Sequence, residues 1–226
     1  MNIQIHHSGS SGNLYQADEL LLEAGVPIKK IKQALDFRLS LIRACLITHE
    51  HMDHAKGIRD LIKAGVDCHM SRGTAEALGV SGHRINILRS EYQVNIGKWA
   101  VIPFAVPHDA AEPLGFLIAN GRDKLLFATD CSYIPFRFNG ITHIILGVDH
   151  DLDIMKENVR EQRIDVRLAN RILKNHMSIQ TAEEFFRAND MSKVEEIHLV
   201  HLSTANADPE QFRARIEAIT GRPVSV

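Results

Sequence analysis

The chain has 226 residues, 45% hydrophobic and 24% charged, with a formal net charge of −2. That length suits one domain, and a balance so near neutrality sets up no global field for nucleic acid, so an anionic substrate has to be held by a local basic patch or by bound cations. Three cysteines (Cys45, Cys68, Cys131) without C-x-x-C spacing exclude a disulfide framework and point to a reducing, cytoplasmic home, while the absence of a signal region or of an apolar run near ~20 residues argues against a membrane partner.

In chain order, NIQIHH and LYQADELLLEAG read as strands, the latter turning near Asp18-Glu19. PIKKIKQALDF reads as a helix with Pro27 at its first position, followed by the buried strand RACLIT. A helix is expected to begin near His54 and to stop at Gly65, with Ile58, Leu61 and Ile62 on one face. VDCHM is a strand and SRGTAEALG a helix opened by Ser71. The strands YQVNI, WAVIPFAV, PLGFLIAN and KLLFAT follow, then HIILGV. Residues 166–175 and 181–189 are amphipathic, and Thr181 with Glu184 fits a capping box. After the strand VEEIHLV comes a helix capped by Asp208 with Pro209 at its first position, and PVSV closes as an edge strand. With no repeats or linkers, residues 1–226 read as a single domain, and strand-rich halves covered by helices suggest two packed sheets with helices outside.

Histidine is the outlier, with 13 residues. The stretch ITHEHMDHAKGI brings His49, His51, Asp53 and His54 together where an apolar run ends. His49 and His51 alternate by two and point the same way on an extended segment, whereas Asp53 and His54 follow a bend and can serve a neighbouring position. Imidazole and carboxylate are the usual ligands of zinc and similar divalent ions. The runs WAVIPFAVPHDA, KLLFATDCS and EEIHLVHLS deliver His108, Asp130 and His201 to strand ends in the same manner.

The H-x-H-x-D-H run, the later His108, the strand-end Asp130 and the last His201 resemble the metallo-β-lactamase fold of hydrolases, over nearly the whole chain. SGSSGN, LLEAG, THEHMDH, HDAAEPLGF, DHD, HMS and HLS resemble its YycJ/WalJ-type branch, associated with DNA exonuclease activity. The chain departs from that branch at Asp130-Cys131-Ser132, Asp149-His150-Asp151 and Asn175-His176-Met177-Ser178, where the branch tends to carry Asp-Thr-Gly, Asn-His-Asp and Gly-His-Leu-Ser. The resemblance implies an α/β fold, a four-layer αββα sandwich with a dinuclear metal site at the strand-end rim. It implies that His49, His51 and His108 hold one metal, that Asp53, His54 and His201 hold the other, and that Asp130 bridges them. Two divalent ions are expected, zinc first and Mn²⁺ as its rival. Asp53 and Asp130 then carry catalysis together with His176, a histidine left over once the ligands are assigned, which can hold a phosphate oxygen or protonate a leaving oxygen.

Substrate contacts are expected from Ser10, Ser11 and Asn13 in the SGSSGN loop, which equally fits a tight turn. His150, Ser178 and Ser203, in the Asp-His-Asp and His-x-Ser motifs, join them by resemblance. Arg167, Arg171 and Lys174, at i, i+4 and i+7, form a basic stripe leading into His176, or a solvated helix face. The expected activity is that of a metal-dependent phosphodiesterase or nuclease acting on nucleic acid. A small-molecule hydrolase of thioesterase or lactonase type on the same fold is the alternative, and a non-catalytic metal-dependent binding protein is the third.

Overall fold

The computed structural model describes all residues, Met1–Val226. They divide into two compact units, the first of Met1–Ala105 and Ala110–Asn120, the second of Val106–Asp109 and Gly121–Val226.

The first unit opens with β1 (Ile3–His7), β2 (Leu14–Ala17) and β3 (Leu20–Leu22), joined antiparallel. Helix α1 (Ile28–Ala34), strand β4 (Ala44–Leu46), helices α2 (Met52–Ala55) and α3 (Ile58–Lys63), strand β5 (Asp67–Ser71), helix α4 (Arg72–Leu78) and strand β6 (Ile85–Leu88) follow. β3, β4, β5 and β6 pair in parallel. Leu21, Cys45 and Cys68 stand side by side across β3, β4 and β5. They pack in a core with Leu14, Ile31, Ile58, Leu61 and Met70. Leu20, Leu22, Ala44 and Leu46, on the opposite face, are equally buried, which is why these strands read as unbroken apolar runs. Each fully buried leucine contributes about 1.5–3 kcal/mol over an exposed one. Strands β7 (Val94–Ile96), β8 (Trp99–Ala105) and β9 (Leu114–Ala119) form an antiparallel meander in the same unit.

The second unit holds β10 (Lys124–Ala128), β11 (His143–Gly147), α5 (Leu152–Arg160), α6 (Val166–Asn175), α7 (Ile179–Ala188), β12 (Glu196–Val200), α8 (Pro209–Thr220) and β13 (Val224–Ser225). The ladder β10–β11–β12–β13 is parallel throughout. Its register sets Ala128 beside Leu146 and Gly147 beside Val200, so three strands end level with one another. No helix of the chain is long and apolar enough to cross a membrane.

Two local expectations need correction, and two elements were not anticipated. The helix expected near His54 starts at Met52 with His51 as its cap and continues after a break as α3, so Asp53 and His54 lie within a helical turn. The expected Thr181–Glu184 capping box is displaced by Ser178, whose Oγ accepts from Thr181 N at 3.1 Å. A serine bonding the amide three residues on satisfies an orphan donor one turn earlier than the threonine does. Strand β6 and helix α5 have no counterpart in the sequence reading; Asp151 opens α5 by accepting from the amides of Asp153 and Ile154.

Candidate metal centre

In the first unit the ligand-type residues rest on a buried carboxylate. Glu23 follows β3, is fully buried, and has φ +67, a conformation that costs a non-glycine residue on the order of 1 kcal/mol or more. Thr48 donates its hydroxyl to Glu23 Oε1 at 2.5 Å and its amide to Oε2 at 3.2 Å. With that hydroxyl hydrogen spent, Thr48 Oγ1 accepts from His49 Nδ1, 2.9 Å away. In the neutral ring His49 Nε2 then carries the lone pair, 3.0 Å from His51 Nδ1. His54 Nδ1 lies 3.2 Å from Glu23 Oε1, so one carboxylate orients two imidazoles. Asp53 Oδ2 is 3.4 Å from His54 Nε2.

The main chain holds this arrangement tightly. Asn13 N donates to Asp53 O at 2.7 Å and Ala24 N to His54 O at 2.7 Å. A Cβ on Gly25 would stand 1.6 Å from Asp53 O, so the Leu-Glu-Ala-Gly segment can approach the turn only with glycine at that position.

The second unit gathers its groups from well-separated parts of the chain. Asp130 and Asp149 lie two residues beyond β10 and β11, and His201 one residue beyond β12, so the level strand ends bring them to one edge. His108 Nε2 lies 3.7 Å from Asp130 Oδ2, His176 Nδ1 3.9 Å from the same oxygen, and His201 Nε2 3.4 Å from Oδ1. The ring of His176 stacks on that of His201 at 5.7 Å and meets His108 edge-on at 5.2 Å. Asp149 Oδ2 stands 3.9 Å from His201 Nδ1. His201 adopts φ +59, a strained conformation of the kind that collects at functional sites.

The tautomer of His108 tests whether this cluster suits a cation. Its Nδ1 donates to the carbonyl of Asn175 at 3.0 Å, since a carbonyl can only accept. In the neutral ring Nε2 then presents a lone pair towards a carboxylate oxygen. Burial is the largest influence on this imidazole and pulls its pKa below the ordinary value, against the pull of Asp130 and of the Asn175 carbonyl. A neutral imidazole facing a carboxylate is a donor set for a divalent cation, and the residues fit one. The ligand atoms of His108, Asp130 and His176 lie within 4.8 Å of one another, as do those of Asp149, His176 and His201.

The substrate expectations divide. Ser10 and Ser11 are exposed. Asn13 is fully buried; its Nδ2 is 3.1 Å from Asp53 O and 3.2 Å from His54 Nε2, and its Oδ1 accepts from Gly9 N and the Tyr15 hydroxyl. Asn13 supports the Asp53–His54 turn, because its polar atoms are engaged inside the unit. His150, expected to touch substrate, is buried beside Asp149, whose Oδ1 is 3.4 Å away. Ser178 is the buried cap of α7, and Ser203 Oγ receives Asn206 N and Nδ2 at 3.2 Å each. The basic stripe is interrupted: Arg171 Nε pairs with Asp109 at 2.9 Å, while Arg167 and Lys174 are exposed. Leu168, on the same helix, is 49% exposed. Arg171 and the Asn175 carbonyl together tie α6 to the Asp109–His108 pair. Cys131 is buried, and burial followed by the Asp130 charge pushes its thiol well above the usual range, which suits packing and disfavours the thiolate.

The sequence reading missed Glu23 and Thr48 as groups that orient His49 and His54. The available signal was a lone acid inside the apolar run LLLEAG.

Residues 20–202 match the beta-lactamase superfamily domain. The chain is 27% identical to the exodeoxyribonuclease WalJ of Streptococcus pneumoniae, over 88% of this chain and 80% of that protein. It is 26% identical to the exodeoxyribonuclease YycJ of Bacillus anthracis, over 97% of this chain and 89% of that protein. Among solved structures it resembles the metallo-beta-lactamase fold protein YhfI from Bacillus subtilis, with a TM-score of 0.73 at 13% identity, covering 98% of this chain and 94% of the other. The chain thus belongs to the beta-lactamase superfamily and is a metal-dependent hydrolase with the metallo-β-lactamase fold.

Proposed function

We propose that this hydrolase is a phosphodiesterase of the nuclease type, that residues 1–226 work as one domain, and that it uses two divalent cations. The observation that carries the reading is the ring of His108, His176 and His201 about the buried carboxylate of Asp130. It accompanies the Glu23-based cluster of His49, His51 and His54 and two curated relatives that are exodeoxyribonucleases. In this reading His49, His51 and His108 hold one cation, Asp53, His54 and His201 the other, and Asp130 serves both. Two such cations supply an activated water near neutral pH and a clamp on the attacking and leaving oxygens. Zinc suits the imidazole-rich set and manganese rivals it, because affinity order alone does not choose the metal in a cell.

The remaining roles fall to side chains around that set. Glu23 and Thr48 keep the His49 and His54 rings turned with one nitrogen inward. His176, beyond the ligand set yet stacked on His201, holds a phosphate oxygen or delivers its proton to the leaving oxygen. Ser10, Ser11, Arg167 and Lys174 are the exposed groups available to the strand's other phosphates.

The test is to strip the metal, restore zinc or manganese, count bound ions by elemental analysis, and assay labelled single- and double-stranded DNA and RNA beside a thioester and a lactone. Two ions per chain, cleavage of nucleic acid and binding that weakens as salt rises are expected. Turnover of the thioester or lactone alone sinks the nuclease reading, and a single ion sinks the ligand assignment.

A further inference from the structure

The segment following Asp130 reads Cys-Ser-Tyr-Ile-Pro-Phe-Arg-Phe-Asn-Gly, residues 131–140, an aromatic-rich stretch without regular secondary structure. Ser132 N donates to Pro107 O at 3.0 Å, so the segment departs from beside His108. Its far end is stapled to α7: Phe138 N donates to Asn189 Oδ1 at 2.8 Å, and Asn189 Nδ2 donates to Phe185 O at 2.9 Å. Between these two fixed points a cavity of about 350 Å³ opens, with Tyr133, Phe136 and Arg137 on one side and Glu184 and Phe185 of α7 on the other. Tyr133 is 52% exposed, so its ring is not serving the core. Three residues of chain span at most roughly 10–11 Å, which keeps Tyr133 close to Asp130.

Each feature has a use if a nucleic-acid strand lies across the site. Aromatic rings held on a stapled loop offer a flat face at little ordering cost, and every base has a π-face to stack on it, whatever its identity. The Arg137 guanidinium adds a positive charge that can meet a phosphate or lie over a ring. The Glu184 carboxylate can only accept, which suits a base edge bearing N–H groups.

We propose that this cavity is a stacking subsite for one unpaired nucleobase neighbouring the scissile phosphate, with Tyr133 as its platform. The proposal rests on the nuclease reading above and deepens it by naming the substrate as a strand whose terminal bases are unstacked. A base inside a duplex has to unstack from its neighbours before it can enter such a pocket, so single strands and frayed ends are preferred.

The experiment uses the metal-supplemented protein and short single strands carrying 2-aminopurine at one of the positions near the end, or an abasic residue at that same position. Phosphorothioate versions that resist cutting serve for binding, ordinary versions for cleavage. Parent protein and Tyr133→Phe should quench 2-aminopurine fluorescence and bind the base-bearing strand more tightly than the abasic one. Tyr133→Ala should lose the quenching and weaken binding of the base-bearing strand on the order of 10-fold, down to the abasic level, while leaving the abasic strand unaffected. If the parent treats both strands alike yet cuts them, the subsite is refuted and the nuclease reading survives. If it neither binds nor cuts either strand, both are refuted.

Discussion

The two units supply candidate metal-ligand groups in opposite ways. In the first, His49, His51, Asp53 and His54 lie within one short turn, and the buried Glu23 reaches two of the imidazoles, one directly and one through Thr48. In the second, His108, Asp130, His176 and His201 come from distant parts of the chain and converge because parallel strands end level and α6 is tied to Asp109 and His108. A local cluster is oriented by a hydrogen-bond chain that one substitution can cut. A dispersed cluster is oriented by the whole ladder, and its weakest point is the shared carboxylate at its middle.

The sharpest break is therefore Asp130→Asn. Asparagine keeps the size but loses the charge that three histidines face, so hydrolysis should fall to background with secondary structure and melting temperature close to the parent's. Near-normal turnover with two ions bound would show that the bridge is misplaced.

His176→Ala separates ligand from helper within the dispersed cluster. The rate should fall about 10²–10⁴-fold with both metals retained. An unchanged rate removes His176 from catalysis, and loss of an ion makes it a ligand.

Glu23→Gln probes the local cluster. The amide keeps the shape but no longer offers carboxylate oxygens to both Thr48 and His54, so metal affinity should drop roughly 10–100-fold by competition with a chelator. Because His49 and His54 are assigned to different cations, both ions should weaken; unchanged affinity for both would show that Glu23 does not orient the ligands.

The candidate ligand residues are unevenly legible in the sequence for the same reason. The H-x-H-x-D-H run is legible because its residues are neighbours, and ligand chemistry can be read from spacing alone. His108, Asp130 and His201 are legible more weakly, as polar residues ending apolar strands. Asp149 follows the apolar strand HIILG in the same way, whereas Glu23 and Thr48, which orient the rings, have no such spacing. Asn13 and His150 show the converse: motif residues that looked available to substrate are buried beside the groups they support.

By itself the sequence determined most of the strands along the chain, the Asp208–Pro209 start of the last helix, the amphipathic span 166–175 and the H-x-H-x-D-H cluster. Each is a matter of local hydrogen bonding, side-chain period or residue chemistry, which neighbours in the chain decide. Only the tertiary structure decided that Glu23 lies under His54 and Thr48, that Arg171 is engaged by Asp109, and that an aromatic loop is stapled to α7 by Asn189. Those contacts join residues far apart in the chain, and burial and parallel strand register, which no local pattern encodes, bring them within hydrogen-bonding reach.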